Sequence, residues 1–141
     1  MKFSSRKDVL FTLVILTVCS LLLGIVIFDF FKENASIKGI FPLVTIVCVV
    51  SFLLWLFFDT KYELTETALK YKSGPIQGEI AIASIKEIIK NKTLWVGLKP
   101  ATAAKGLIVK YNKYDEIYIS PRSNDTFIRK IVEINENIKI R

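Results

Sequence analysis

Residues 105–134, KGLIVKYNKYDEIYISPRSNDTFIRKIVEI, carry two different periodicities, separated by a proline. Up to Ser120 the apolar side chains alternate with polar ones: Leu107, Val109 and Tyr111 in one run, Ile117 and Ile119 in the next, with Asn112 to Asp115 between them. A period of two marks half-buried strands, so this stretch predicts a β-hairpin. After Pro121 the spacing changes. Phe127, Ile128, Ile131 and Ile134 fall on one face of a helix. Ser123 or Asn124 supplies the N-cap oxygen, and Asp125 puts a negative charge in the first turn, where the helix dipole favours it. Strands closed by one amphipathic helix predict an α+β domain with the helix packed on the sheet.

Upstream the strand text continues. YELTE and LKYKS flank a short turn and point Leu64, Leu69 and Tyr71 inward, and Ser73-Gly74-Pro75 is a further turn. QGEIAI then places Ile80 and Ile82 on one face, ASIK makes a tight corner, and EIIKNK follows as another strand. Only KTLWVGLKPATAAKG, residues 92–106, fits neither period.

Ahead of Asp59 the composition is of another kind. Val9 to Phe28 and Ile40 to Phe58 are uncharged runs of twenty and nineteen residues. At about 1.5 Å per residue each spans roughly the 30 Å hydrocarbon core of a bilayer. Lys2, Arg6 and Lys7 precede the first run, as in a cleaved leader, but the run is too long and DFFKEN follows it in place of a cleavage site. Pro42 falls in the first turn of the second run, and Trp55, Phe57 and Phe58 cluster at its end, where aromatic rings favour the interface. The expected organisation is an N-terminal tail (1–8), a transmembrane hairpin (9–58, with a loop at 29–39) and a polar domain (59–141). Lys2, Arg6 and Lys7 on one flank and Lys61, Lys70 and Lys72 on the other outnumber Lys32 and Lys38 in the loop. By the positive-inside rule both termini are expected in the cytoplasm and the chain in the cell membrane. Neither run holds an ionisable residue, which argues for an anchor over a transporter. Ser20 and Gly24 have the spacing of closely approaching helices. Cys19 and Cys48 lie in the apolar runs and act as small apolar side chains, with no metal-ligand spacing.

The order SGPIQGEIAIASIKEI, TLWVGLKPA, KGLIVKYNKYDEIYISPRSNDTFI and a final NIKI resembles the bacterial pleckstrin-homology-like domains, and more narrowly their membrane-anchored YyaB-like branch, whose members carry a similar two-helix preface. The resemblance covers residues 59–139 in motif detail. It implies a PH-like domain of two small, bent antiparallel sheets capped by the C-terminal helix, and brings no catalytic or ligand residues to carry over.

Chemistry is sparse. The sequence has no histidine, so the commonest general base and metal ligand are both missing, and no nucleophile-elbow or phosphate-loop spacing occurs. An enzyme is not expected, nor is a cofactor or a metal. The domain carries fifteen bases against ten acids, but twelve of the bases are lysines and no basic helix or aromatic pair suits nucleic acid. The expected partners are the bilayer itself, with a protein segment or an anionic membrane surface as ligand of a binding or scaffold module. The alternative is an accessory subunit of a larger membrane assembly that interacts through its helices. The candidate surface is Lys90, Lys92, Trp95 and Lys99. Trp95 has two competing roles: presenting its ring to such a ligand, or covering an open end of the sheet, which the neighbouring Pro100, Ala101, Ala103 and Ala104 favour. In the packing role, Trp95→Ala lowers the domain's stability by about 3–5 kcal/mol. An unfolding midpoint equal to that of the parent would place the ring on the surface.

Overall fold

The structure is a computed structural model and describes residues 1–32, 37–94 and 96–141. Two helices, α1 (Val9–Lys32) and α2 (Ile37–Phe58), precede six strands: β2 (Lys61–Leu64), β3 (Ala68–Ser73), β4 (Ile76–Ala81), β5 (Ile85–Lys92), β6 (Gly106–Tyr111) and β7 (Asp115–Ile119). Helix α3 (Asn124–Ile134) and the short β8 (Lys139–Ile140) close the chain. The architecture is α+β, as the two periodicities predicted. Both helices run past the expected uncharged segments into the connection, and Pro42 consequently sits in the second turn of α2.

Two strands had no expectation attached to them, β8 and one near the start of the sequence. Lys2–Ser4, read as part of a tail, forms β1 and pairs antiparallel with β2, Lys2 opposite Glu63 and Ser4 opposite Lys61. The first sheet is therefore β1-β2-β3-β4, with one strand lying ahead of the helix hairpin and three behind it. The second sheet has the order β7-β6-β5-β8; its main pairs are antiparallel, while β8 runs parallel to β5. A 3₁₀ turn at Ile82–Ser84 makes the corner between the sheets where ASIK was expected to bend.

The inward faces meet in one core. Leu64, Leu69 and Ile80 come from the first sheet, Leu107, Val109, Ile117 and Ile119 from the second, and Phe127 and Ile131 from α3. Each of these side chains is worth about 1.5–3 kcal/mol when fully removed from water. Ser123 caps α3 by accepting from the Thr126 N–H at 3.3 Å. Phe3 of β1 sets its ring edge against Phe127 at 5.2 Å, so the strand ahead of the hairpin also helps hold α3. Gly106 is required by close approach: a Cβ there would lie 2.3 Å from the Ile119 carbonyl.

Hairpin and domain are joined by hydroxyl groups. Ser5, at the end of β1, has its Oγ 2.9 Å from Thr102 Oγ1, 2.9 Å from Ser120 Oγ and 3.1 Å from Tyr62 Oη. Tyr62 Oη donates to the Pro100 carbonyl at 2.5 Å and accepts from the Ser120 N–H at 3.0 Å. Nearby, the Arg6 N–H donates to the Ser120 carbonyl at 2.7 Å, and Thr102 Oγ1 donates to the Arg6 carbonyl at 2.8 Å. On the other side Thr60 Oγ1 donates to the Leu56 carbonyl at 2.7 Å and lies 2.9 Å from Ser73 Oγ. Burial pushes the Tyr62 phenol above its ordinary pKa, against the opposing pull of its hydrogen bonds to Ser120 and Ser5, so it stays a neutral donor.

Tyr62→Phe deletes the hydroxyl that serves both the Pro100 carbonyl and the Ser120 N–H. It should lower stability by about 1–3 kcal/mol. Denaturant unfolding of the full chain in detergent measures this, and an unchanged midpoint would deny the junction its structural weight.

Candidate functional site

Of the four residues chosen from the sequence, the structure describes the three lysines. Lys90 makes an ion pair with Asp125 in the first turn of α3. Lys92 ends β5 opposite Gly106, after a β-bulge centred on Asn91 with a φ of 58°. The bulge breaks the alternation that would have set Lys90 and Lys92 side by side. Lys99 is exposed on the segment that runs down to Pro100, and Trp95 lies outside the described residues. Among the described residues no three His, Cys, Asp or Glu side chains gather as a metal site would require.

The buried hydroxyls of the junction, on Ser5, Tyr62, Thr102 and Ser120, are engaged by hydrogen bonds to their neighbours.

A better candidate lies at the opposite end of the domain from the hairpin. β2 leaves α2 and runs outward to a turn at Thr65–Thr67, and the 3₁₀ corner docks under that turn through the Ile82 N–H on the Thr67 carbonyl at 2.9 Å. The C-terminal end of α3 arrives at the same corner, where Asn135 Nδ2 donates to the Ile82 carbonyl at 3.3 Å. Between these elements lies a groove of about 970 Å³. Ile82, Ala83 and Ile85 supply apolar surface along one side and Ile134 along the other. Glu66, Lys86, Glu87, Asn137 and Lys139 provide the polar and charged groups around it.

Ile134 explains why this groove is a candidate. The helical stripe expected from the sequence holds for Phe127 and Ile131, which are fully buried, but Ile134 remains 37% exposed because the sheet has ended beneath it. An apolar side chain on a helix face left uncovered, beside hydrogen-bonding groups, suits a short peptide better than a compact polar metabolite. A second depression of about 570 Å³ lies on the outer face of the first sheet. There Lys2, Glu63, Lys70 and Glu79 alternate in sign across four paired strands, which is a solvated charge ladder.

Glu87 sets the electrostatics of the groove. The Lys110 ammonium at 3.0 Å holds its carboxyl below the ordinary range, with smaller help from the charges of Arg141 and Lys139. A carboxylate with a depressed folded pKa contributes stability above its unfolded pKa and loses it on acidification. The Glu87→Gln variant should therefore differ from the parent in thermal stability above pH about 4.5, and the difference should shrink as pH falls below that value. A difference that does not change with pH would show that the pair adds nothing.

The helices also carry a surface unused within the hairpin. A Cβ built on Gly24 would meet nothing within 4 Å, so the Ser20–Gly24 face does not pack on α2.

The sequence pattern of the bacterial PH domain family matches residues 60–135. Over 141 residues the chain is 28% identical to the "Uncharacterized protein YyaB" of Bacillus subtilis (strain 168), an alignment covering 99% of this chain and 97% of the relative. No solved structure matches.

Proposed function

We propose, from the premise that this chain belongs to the bacterial PH domain family, that it is a membrane-anchored, non-catalytic binding module. Its two helices cross the bilayer, both termini lie in the cytoplasm, and the domain offers its outer groove to a segment of a protein partner. α1 and α2 are each long and apolar enough for the crossing, and few of their described residues are buried. Phe11 stacks on Phe57 at 6.1 Å, so the start of one helix lies beside the end of the other, and β1 pairs with β2. Once the helices span, that arrangement requires both flanks on one side, and the excess of Lys and Arg there over the connection favours the cytoplasm.

The observation that carries the binding role is the half-exposed Ile134 over the groove floored by Ile82 and Ile85. The fold alone would not assign a ligand. Tethering supplies the mechanism: a weak groove held at the membrane sees its membrane-bound partners at a raised effective concentration. The free Ser20–Gly24 face favours a second reading, in which the helices seat the chain in a larger membrane assembly.

Alkaline carbonate washing of membranes should leave the chain in the pellet, and a photo-crosslinker at Ala83 should trap a protein that the Ile134→Glu variant no longer traps. Release into the wash would end the anchor reading. Capture that survives Ile134→Glu would end the groove reading, and capture from position 24 alone would favour the assembly.

A further inference from the structure

The end of the domain that faces the hairpin is rich in bases. Arg6, Lys7, Lys61, Lys72, Lys105 and Arg122 surround the point where α1 enters and α2 leaves, and the acids nearest them are Asp8, Asp59 and Asp125. Asp59 takes both Lys61, at 2.9 Å, and Lys72, at 3.1 Å, so one carboxylate serves two ammonium groups. The Arg6 guanidinium donates to the carbonyls of Ala104 and Lys105, which fixes that strand of the loop beside the start of α1. At the far end acids and bases are mixed: Glu87 pairs with Lys110 and Arg141, Glu133 pairs with Lys130, and Lys86 and Lys139 line the groove beside Glu66.

Two contacts set the level of this collar along the helices. Lys7 holds its ammonium 4.0 Å from the ring centre of Phe58 and 5.2 Å from that of Phe57, the last aromatic side chains of α2. The turn between β3 and β4 reaches lower still. Ser73 Oγ donates to the Leu56 carbonyl at 3.3 Å, and a Cβ on Gly74 would sit 3.0 Å from Leu56 Cδ2. Gly74, at a φ of 56°, lets the turn close there. Leu56 belongs to the uncharged run, so the turn lies alongside apolar helix, and Ile76, next to its tip, is 46% exposed.

We infer that this end of the domain is a docking surface for anionic phospholipid: the basic collar engages headgroup phosphates, while Pro75 and Ile76 rest at the boundary with the acyl chains. Two features of the molecule identify the occupant. The collar's charge is complementary to an anionic leaflet, and its surface is continuous with helices that face hydrocarbon. An exposed isoleucine level with the last turn of an apolar helix is suited to lipid. Each base held at an anionic surface raises local lipid occupancy about fivefold. The domain is then held with its groove directed away from the membrane. This inference rests on the membrane-spanning reading above.

The test uses the full chain in nanodiscs, with a fluorophore either on native Cys48, on the exposed side of α2, or on an Ile76→Cys substitution made together with Cys48→Ala. Brominated phosphatidylglycerol and brominated phosphatidylcholine are compared at equal mole fraction. The Cys48 label should be quenched by both lipids. The Ile76→Cys label should lose more emission to the anionic lipid, and this preference should disappear at high salt and in K61Q/K72Q/K105Q. Equal quenching of the Ile76→Cys label by both lipids overturns the collar and leaves the anchor intact. A Cys48 label that neither lipid quenches overturns both.

Discussion

The Ser5 hydroxyl holds this structure where the exposed apolar helices pass into the folded domain. A serine at that position has three hydroxyl neighbours on three separate segments: β2, the loop before β6, and the end of β7. Buried polar groups cost free energy unless every one is paired. Here the pairing is available only when the strand ahead of α1 and the strands behind α2 are all in place. The junction therefore works as a condition as well as a bond: it is satisfied in one arrangement of hairpin and domain, and partial versions of that arrangement leave donors stranded. The core of Leu69, Leu107, Val109 and Phe127 supplies most of the driving force, but apolar burial is tolerant of small displacements. The hydroxyls supply the register.

The hairpin and the groove lie at opposite ends of the domain: β2 begins beside the collar of Arg6, Lys61 and Lys72 and ends at the turn that carries Glu66. The groove beside Ile134 lies at the second end. A module with its anchor and its binding surface at opposite poles can occupy both at once, which is what tethering requires.

Much of this was legible in the residues, and the exceptions share a cause. Strand alternation from Leu107 to Ile119, the Ser123 cap, the turn at Gly74 and the two apolar runs are local signals, each contained in a window of about ten to twenty residues. β1 could not be read that way. Lys-Phe-Ser has no periodicity of its own, and it becomes a strand because the hairpin returns the chain to its starting point and lays β2 beside it. Lys90 looked like a free binding residue because its partner, Asp125, lies on a helix thirty-five positions later. The groove was hidden for the same reason, being made of the ends of three elements. Ile134 matched the helical stripe, and only the finite length of the sheet left it uncovered.

The position of β1 has a further consequence for how this protein can be divided. Composition invites a cut at Asp59, with greasy helices on one side and an apparently complete domain on the other. Such a cut would remove the neighbour of β2 and the ring that covers Phe127, leaving an open strand edge of the sort that recruits other chains into aggregates. The helix hairpin is thus an insertion between two consecutive strands of a single sheet. Lys2–Ser4 gains its partner strand only after both helices have been made and β2 follows them.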